Sequence, residues 1–276
     1  NQKATWAACP RVSPLELTET PSGQAARAPF APLNQPLKRA REQQKVLTTV
    51  LAPDSERTES CDFMPISKDD LEALRKLSTP TVSNAVEQFH ARPRNQGFMS
   101  PDIRCLFPDL GVMVGYAVTA HFVAEQPASR TVSRHDFWKH VLEIPEPRVL
   151  VFQDMDQPPG VGAYFGEVQS NIHRRLGCVV VVTNGHVRDL DEVQALGFHY
   201  FAAGVCVSHA YVHLLDFGLP VKVGGTIVRP GCLLHADQHG VLVVPKEIAH
   251  EIPKAAAQVV EHEQRIIAHC PSPDFS

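Results

Sequence analysis

The chain has 276 residues, 43% of them hydrophobic, and a formal net charge of −4, so it contains enough apolar side chains for a full core in one large domain or two small ones. Its basic residues form no continuous stripe, which argues against a nucleic-acid partner, and no apolar run approaches the roughly 20 residues that span a bilayer, which argues against a membrane partner. The seven cysteines are far apart and include no Cys-x-x-Cys pair, which favours a reducing, cytoplasmic setting over a disulfide framework or a zinc knuckle.

An N-terminal extension precedes the predicted elements. Residues 1–62 are rich in Pro, Ala, Gln, Ser and Thr and lack sustained periodicity apart from a helical pattern around PLKRAREQQKVLTTVL. A compact domain is expected from 63 to 276. It opens at PISKDDLEALRKL, where Ser67 and Asp70 form a capping-box pattern, and a second helix is predicted at TPTVSNAVEQF, with Pro80 in its first turn.

Strands and helices alternate through the middle of the chain. Hydrophobic periodicity and turn residues predict, in order, a β-rich run at 111–124, a helix at about 133–142, a strand at 148–154, a helix opened by Gly166, a strand CVVVV, and a helix at 190–196. Turn-separated strands are predicted at HYFAAGVCV, LPVKVGGTIVRPG and GVLVVP, and a terminal helix from about Pro245–Glu247 to His269. This order predicts an α/β domain with a mixed central sheet.

The stretch GEVQSNIHRRLGCVVVVTNGHVRD delivers a cation and an anion, Arg188 and Asp189, to the end of a buried strand. The amides at the start of its helix, at residues 166–169, are donors at the positive end of a helix dipole and suit a carboxylate or phosphate. Ordinary structural interpretations compete with this one. Gly166 and Glu167 are also typical of a tight turn and a dipole-compensating acid, and Asp189 to Glu192 is itself a capping-box pattern for the next helix.

Consecutive strand–helix units of a parallel sheet place their turns along one carboxyl edge, where α/β proteins bind ligands. The helix start, Arg188 and Asp189 would then meet in one pocket. Such a set suits a 2-oxo acid held on Mg²⁺ or Mn²⁺, because a hard cation accepts one protein carboxylate together with water and substrate oxygens. The arginine would contact an oxygen anion of the substrate.

Other motifs are weaker. Gly160, Gly162 and Gly166 have a spacing one residue longer than the dinucleotide fingerprint. His209 and His213 would suit a transition metal if they lay on a helix, although structural histidines are the simpler interpretation. The third group, His235, Asp237 and His239, precedes a strand and is also ordinary turn chemistry. The sequence contains no nucleophile elbow or P-loop.

The motifs together resemble one family. The segments TPTVSNAV, GYAVTA, GEVQSNIHRRLGCVVVVTNGHVRDLDEVQALGF, YFAAGVCV, PVKVGGTIVRPG and HADQHGVLVVP follow one another as in the RraA-like proteins, which include the 4-hydroxy-4-methyl-2-oxoglutarate aldolases. The resemblance covers roughly residues 67–265, and its most specific element is the Gly-Glu helix start followed by Val-Arg-Asp. It leaves the N-terminal extension unexplained.

The resemblance implies an α/β/β/α sandwich with a mixed central sheet and a C-terminal helix, assembled as a trimer or hexamer with the site between subunits. It implies a metal-dependent carbon–carbon lyase, an aldolase or oxaloacetate decarboxylase that works through a metal-stabilised enolate, and makes 63–276 the catalytic domain. Carried over by position, these residues would form its site: Gly166, Glu167, Val168 and Gln169 at the substrate-binding helix start, Arg188 on the substrate, Asp189 on the divalent metal, and a neighbouring subunit's Glu263 or Glu261 beside the proton-shuttling water.

Two residues depart from the family pattern, since Asn84 replaces a common Asp and Cys232 replaces the Asp of a Pro-Gly-Asp motif. These changes and the extension leave two alternatives open. One is a repurposed lyase or cyclase that acts on a larger β-keto substrate. The other is a non-catalytic, RraA-type regulatory binding protein.

Overall fold

A computed structural model describes residues 65–129 and 132–272, so the predicted extension at 1–62 and its helical pattern lie outside the described residues. The helices are α1 Lys68–Arg75, α2 Thr79–Gln88, α3 Arg134–Glu143, α4 Glu167–Arg175, α5 Leu190–Leu196 and α6 Ile252–His269. The strands are β1 Arg104–Cys105, β2 Met113–Val123, β3 Arg148–Asp154, β4 Ala163–Phe165, β5 Cys178–Val187, β6 His199–Val205, β7 His213–Phe217, β8 Val221–Val223, β9 Thr226–Val228, β10 Leu233–Asp237 and β11 Gly240–Val244.

The main sheet has the strand order β1-β6-β5-β3-β2-β10-β11, with β4 paired along β5 and β7 along β2. Its four central strands, β6, β5, β3 and β2, run parallel, and antiparallel strands flank them. Parallel strands are covered on both faces, which explains why β3 and β5 read as continuous apolar runs. The predicted mixed α/β fold with a C-terminal helix is therefore confirmed.

Each face of the sheet has its own hydrophobic core. Helix side chains such as Leu74, Val86, Phe137 and Ile252 pack on one face in a single cluster. The β8–β9 hairpin covers the other face with Val221, Val223 and Val228. The carboxyl edge of the parallel strands lies between these two layers, and it is left for loops and helix starts.

The helix starts largely follow the sequence signals. Asp70 N donates to Ser67 Oγ at 3.0 Å, and Pro80 occupies the first turn of α2. The terminal helix was predicted too early: Lys246–Ile248 forms a 3-10 turn, and α6 begins only at Ile252, where Pro253 supplies a first-turn residue that needs no amide partner. None of the helices in the described ranges is both long and apolar enough to cross a bilayer.

Strand β5 changes its parallel neighbour halfway along. Its first half pairs with β3 as far as Thr183, and its second half pairs with β4, with Ala163 opposite His186. At the junction, the Asn184 side chain accepts from Asp154 N at 2.8 Å and donates to Asp154 O at 3.0 Å. This amide replaces the missing ladder bonds, and it lets β5 continue to the residues that follow Val187.

Candidate active site

Helix α4 begins at the carboxyl edge, directly after β4. Its N-cap residue, Gly166, provides no capping side chain, so the first amides of the helix need acceptors from elsewhere. One of them, Glu167 N, donates to Asp189 Oδ2 at 2.9 Å. The two segments that the sequence singled out, the start of α4 and the residues after β5, are therefore joined by a direct hydrogen bond.

Close packing explains why residue 166 is glycine. Its φ of −149° is accessible to any residue, so a tight turn does not require it. A β-carbon there would lie 2.4 Å from Asp189 Oδ2 and 3.1 Å from Arg188 Cγ. The glycine therefore makes room for the two charged side chains, and the tight-turn interpretation is wrong.

Asp189 has a left-handed backbone, with φ 58° and ψ 51°. A non-glycine residue in this region costs about 1 kcal/mol or more. It stands at the N-cap position of α5, yet its side chain makes no capping hydrogen bond to that helix. The capping-box interpretation is wrong because this side chain bonds to the start of α4 instead, while Asp191 and Glu192 supply the acidic groups of the first turn of α5.

Arg188 is fixed by its backbone, and its head group forms an exposed ion pair with Asp189. Its N–H donates to Phe165 O at 3.0 Å, which continues the β4–β5 pairing. Its Nε lies 3.6 Å from Asp189 Oδ2, and the two side chains are 36% and 35% exposed. Pairs this exposed contribute at most about 1 kcal/mol, so both groups keep most of their capacity to bind other partners.

A cavity of about 480 Å³ opens beside this pair. Five of the six residues that were predicted for substrate and metal binding line it: Gly166, Val168, Gln169, Arg188 and Asp189. The sixth, Glu167, is not part of the lining, and its amide is used by Asp189. The structure therefore brings the predicted cluster together in one pocket.

The opposite wall of the pocket was identified from the sequence only at His209 and His213. It includes Arg134, Tyr164, His209, Tyr211 and His213. Burial raises the pKa of Tyr164 to about 12, an effect that the nearby Arg134 opposes, so this phenol stays protonated at neutral pH. No local motif marks Arg134 or Tyr164, which reach the pocket from α3 and β4, whereas His209 and Tyr211 come from the loop after β6.

His209 and His213 do not share a helix, because His213 begins strand β7, and the proposed helical metal pair is wrong. The Nδ1 atom of each ring lies 2.7–2.8 Å from a backbone carbonyl, Ala210 O for His209 and Tyr211 O for His213. A carbonyl only accepts, so Nδ1 carries the proton and Nε2 keeps its lone pair in the neutral ring. In the neutral ring, each of these pocket-lining histidines has Nε2 as its acceptor.

Strand β4 sets the length of the pocket. At one end, Ala163 N donates to Ser208 O in the histidine loop at 2.9 Å, and at the other end Gly166 contacts Asp189. Three residues of extended chain span about 10 Å. The backbone points to which the two walls attach are therefore about 10 Å apart along β4.

The other predicted histidine group is structural. His235 and Asp237 lie on one side of β10 and hold the start of α2: Thr79 Oγ1 is 2.9 Å from His235 Nδ1, and Thr79 N donates to Asp237 Oδ2 at 2.9 Å. His235 Nε2 is 3.0 Å from Leu74 O, and burial lowers the pKa of the ring. His239 pairs with Asp237 Oδ1 at 3.0 Å, so this cluster is occupied by its own contacts.

The glycine-rich turn before α4 is also used for packing. Gly160 N donates to Asp154 Oδ2 at 2.7 Å, and a β-carbon on Gly160 would lie 2.5 Å from the His186 ring. A β-carbon on Gly162 would lie 2.6 Å from His209 O. These glycines allow the loop to pack closely against its neighbours, and they form no dinucleotide fingerprint.

The predicted C-terminal glutamates lie apart from the pocket within one chain. Glu263 Oε1 accepts from Asn84 Nδ2 at 3.2 Å, between α6 and α2. Glu261 pairs with Arg265 one turn further along the helix, at 2.6 Å. Neither glutamate lines the cavity, so a role in the site depends on a second copy of the chain. Asn84, which departs from the family pattern, therefore contacts Glu263 directly, one of the two glutamates that the resemblance implies for the site.

Comparison with known proteins places this geometry in context. The family model RraA-like, described as Aldolase/RraA, matches residues 79–243. An uncharacterized protein of Methanocaldococcus jannaschii is 36% identical over 31% of this chain and 42% of its own length. A protein of Halalkalibacterium halodurans named putative 4-hydroxy-4-methyl-2-oxoglutarate aldolase is 29% identical over 37% of this chain and 50% of its own.

The matched stretches cover between 25% and 52% of the curated relatives' lengths. Among solved structures, Streptomyces coelicolor RraAS2, described as an unusual member of the RNase ES inhibitor RraA protein family, superposes with a TM-score of 0.58. It is 24% identical, and the alignment covers 73% of this chain and 96% of that one. This similarity shows a shared fold.

Proposed function

The chain belongs to the RraA-like family, and from that premise we propose that it is a divalent-metal-dependent lyase that cleaves a carbon–carbon bond of a 2-oxo acid. One observation supports this proposal above the others. Asp189, Arg188 and the start of α4 meet at one end of a single pocket, which is the set of groups that a chelating 2-oxo acid requires.

The donor set fits a hard divalent cation. Asp189 Oδ2 accepts from one amide, and no donor in the described ranges contacts its Oδ1, so the carboxylate has free lone pairs at the pocket. Those ranges contain no group of three or more His, Cys, Asp or Glu side chains able to hold a metal. A single carboxylate suits Mg²⁺ or Mn²⁺, which accept water and substrate oxygens in the remaining positions. When bound, such a cation acts as a Lewis acid on the keto group.

The start of α4 binds the carboxylate of the substrate. The Glu167 amide is occupied by Asp189, so the free first-turn donors are those of Val168 and Gln169. They lie at the positive end of the helix dipole, which favours an anion. This arrangement fixes the 2-oxo acid end of the substrate beside Asp189.

Arg188 stabilises negative charge on the reacting oxygen atoms. In aldol cleavage, the bond between C3 and C4 breaks, its electron pair moves towards the keto oxygen, and the C4 hydroxyl loses its proton as the new carbonyl forms. A guanidinium that is not saturated by its own carboxylate partner can donate to these oxygens. We assign the proton transfer to a water positioned by Glu263 of a second copy, in a trimer or hexamer.

The far wall accommodates the rest of the substrate. Arg134, His209 and His213 line the same pocket, and the loop that carries His209 joins β4 at Ala163, about 10 Å of extended chain from Gly166. This distance favours a 2-oxo acid with a substituent beyond C4. It also makes a larger β-keto compound the second candidate substrate.

An activity assay tests the proposed function. The full chain is incubated with oxaloacetate or a 4-hydroxy-2-oxo acid in Mg²⁺, Mn²⁺ or EDTA, and pyruvate release is measured. We expect release that requires the metal and is lost in Asp189→Ala. Asp191→Ala is the matched control, because Asp191 is an exposed acid two residues away. Equal activity in Asp189→Ala and in the wild type would overturn the proposed site, and a chain inactive on every 2-oxo acid would favour the regulatory alternative.

A further inference from the structure

A second cavity of about 640 Å³ lies away from the candidate active site, between the loop that follows α2 and the β8–β9 hairpin. Its lining includes Arg92, Asn95 and Phe98 from the loop and Gly224, Gly225 and Ile227 from the hairpin. It shares no residue with the first pocket. Its volume is in the range of small-molecule sites.

Arg92 is held rigidly in this cavity. Its Nη1 donates to Val243 O at 2.7 Å. A β-carbon on Gly97 would lie 1.9 Å from Arg92 Cζ, so the guanidinium lies flat against a residue that has no side chain. Gly97 also has a φ of +86°, which favours glycine for a second reason. The position of the Arg92 guanidinium is therefore fixed by Gly97 and by the carbonyl of Val243.

Within the part of the chain that the structure describes, the cation lacks a counter-charge. Arg92 forms no ion pair with a carboxylate among the residues that the structure describes, and none of the residues lining this cavity is acidic. Burial lowers the pKa of Arg92, which shows that the group is partly desolvated. By contrast Arg94, two residues later, is 75% exposed and pairs with Glu87 at 3.3 Å. A partly desolvated guanidinium with four unused N–H donors calls for an anion.

Beside the polar side chains of Asn95, Gln96, Ser100 and Thr226, the cavity presents apolar groups and bare backbone. Phe98 is 47% exposed and Ile227 is 60% exposed, and both are large apolar groups at the rim. The hairpin turn contributes two glycines with positive φ, and a β-carbon on Gly225 would meet nothing within 4 Å. A flat ring can therefore approach the turn closely while it covers Phe98 and Ile227.

We propose that this cavity binds a small molecule that carries a carboxylate or phosphate group on an apolar ring. Arg92 binds the anionic group through its free N–H donors, and the side chains of Phe98 and Ile227 contact the ring. Nothing in this proposal depends on the lyase activity, because the two cavities are separate.

Calorimetric titration with phenyl phosphate, inorganic phosphate and benzyl alcohol tests the proposal on the full chain. Phenyl phosphate is expected to bind more tightly than either fragment, because it alone satisfies both halves of the cavity. Arg92→Gln should weaken its binding at least about tenfold, whereas the matched control Arg94→Gln should not change it. The candidate active site also presents an arginine, so the same titration on Arg188→Gln should retain the site that Arg92→Gln removes.

Asn95→Asp provides a second variant, should Arg92→Gln fail to fold. Asn95 is exposed, and a carboxylate there would occupy the guanidinium and repel the ligand, so binding should again weaken at least about tenfold. The proposal is overturned if phenyl phosphate shows no saturable binding up to about 10 mM. It is also overturned if Arg94→Gln weakens binding as much as Arg92→Gln, or if Asn95→Asp binds as the wild type does.

Discussion

Asp189 and Asp237 have the same local role and opposite surroundings. Each lies at or just beyond the carboxyl end of a strand, and each accepts from the first amide of a helix elsewhere in the chain at 2.9 Å: Glu167 N for Asp189, and Thr79 N for Asp237. A carboxylate in this position stabilises a helix N-terminus. Its hydrogen bond to the helix alone therefore does not separate a structural aspartate from a functional one.

Their remaining acceptors separate them. The Asp237 side chain is 9% exposed, and its Oδ1 accepts from His239 N at 2.9 Å. Burial acts to raise the pKa of Asp237, but the hydrogen bonds from Thr79 and His239 outweigh it and lower the pKa. Asp189 is 35% exposed, faces a pocket and has a strained backbone. The saturated carboxylate stabilises the fold, and the unsaturated one is available to a ligand.

The largest expected effect concerns activity. Asp189→Asn should lower kcat/KM for the 2-oxo acid about 1,000-fold, or about 4 kcal/mol of transition-state stabilisation, because an amide is a poor ligand for a hard cation. Asp237→Asn, assayed where it is folded, should stay within about threefold of the wild type. Steady-state pyruvate release measures both, and equal losses in the two variants would break the comparison.

A pH effect should follow for the helix that Asp189 holds. His173 in α4 is completely buried, its Nε2 has no hydrogen-bond partner among residues 65–129 and 132–272, and burial lowers its pKa from 6.5 to about 4. The folded state keeps this ring neutral, so its stabilising contribution is complete above pH 6.5 and is lost as the pH falls towards 4, by about 3 kcal/mol in total. Urea unfolding at several pH values should show a flatter dependence in His173→Gln than in the wild type. The exposed His135 supplies the control, His135→Gln, whose dependence should match the wild type.

Removing the saturated carboxylate should weaken the fold. Asp237→Ala leaves Thr79 N and His239 N without their acceptor and should lower the free energy of unfolding by about 2 kcal/mol. Asp189→Ala loses one exposed bond and should cost less than about 1 kcal/mol. Chemical denaturation measures both values, and a larger loss in Asp189→Ala would reverse the assignment of roles.

The smallest expected effect is a gain in stability. Glycine adopts the left-handed conformation of residue 189 without the cost that an aspartate bears, so Asp189→Gly should offset its lost hydrogen bond and raise the free energy of unfolding by up to about 1 kcal/mol. Its activity should be lost. A variant that is both less stable and inactive would mean that Asp189 supports the fold as Asp237 does.

The sequence predicts the fold further than it predicts the site. The apolar runs of β3 and β5 and the start of α4 place two turns on one edge, which brings Arg188 and Asp189 to the helix start without any coordinates. The direction of the Asp189 side chain cannot be predicted in this way. The sequence matches a capping box for α5, but Asp189 has a left-handed backbone and its side chain bonds to the start of α4 instead.

Long-range contacts determine the parts of the site that the sequence patterns do not predict. The short strand β4 exists because Phe165 O meets Arg188 N across a gap in sequence. The far wall depends on the contact between Ala163 and Ser208, and neither residue belongs to a motif. Arg134 reaches the same pocket from α3, and local periodicity gives it no functional meaning.

The change of neighbour along β5 has a consequence for how this protein can evolve. The register of Arg188 and Asp189 is set by three residues of β4 and not by the eight residues, 155–162, that connect β3 to β4. Changes in that connection that keep Gly160 and Gly162, which pack closely against His186 and His209, can therefore accumulate while Arg188 and Asp189 keep their register.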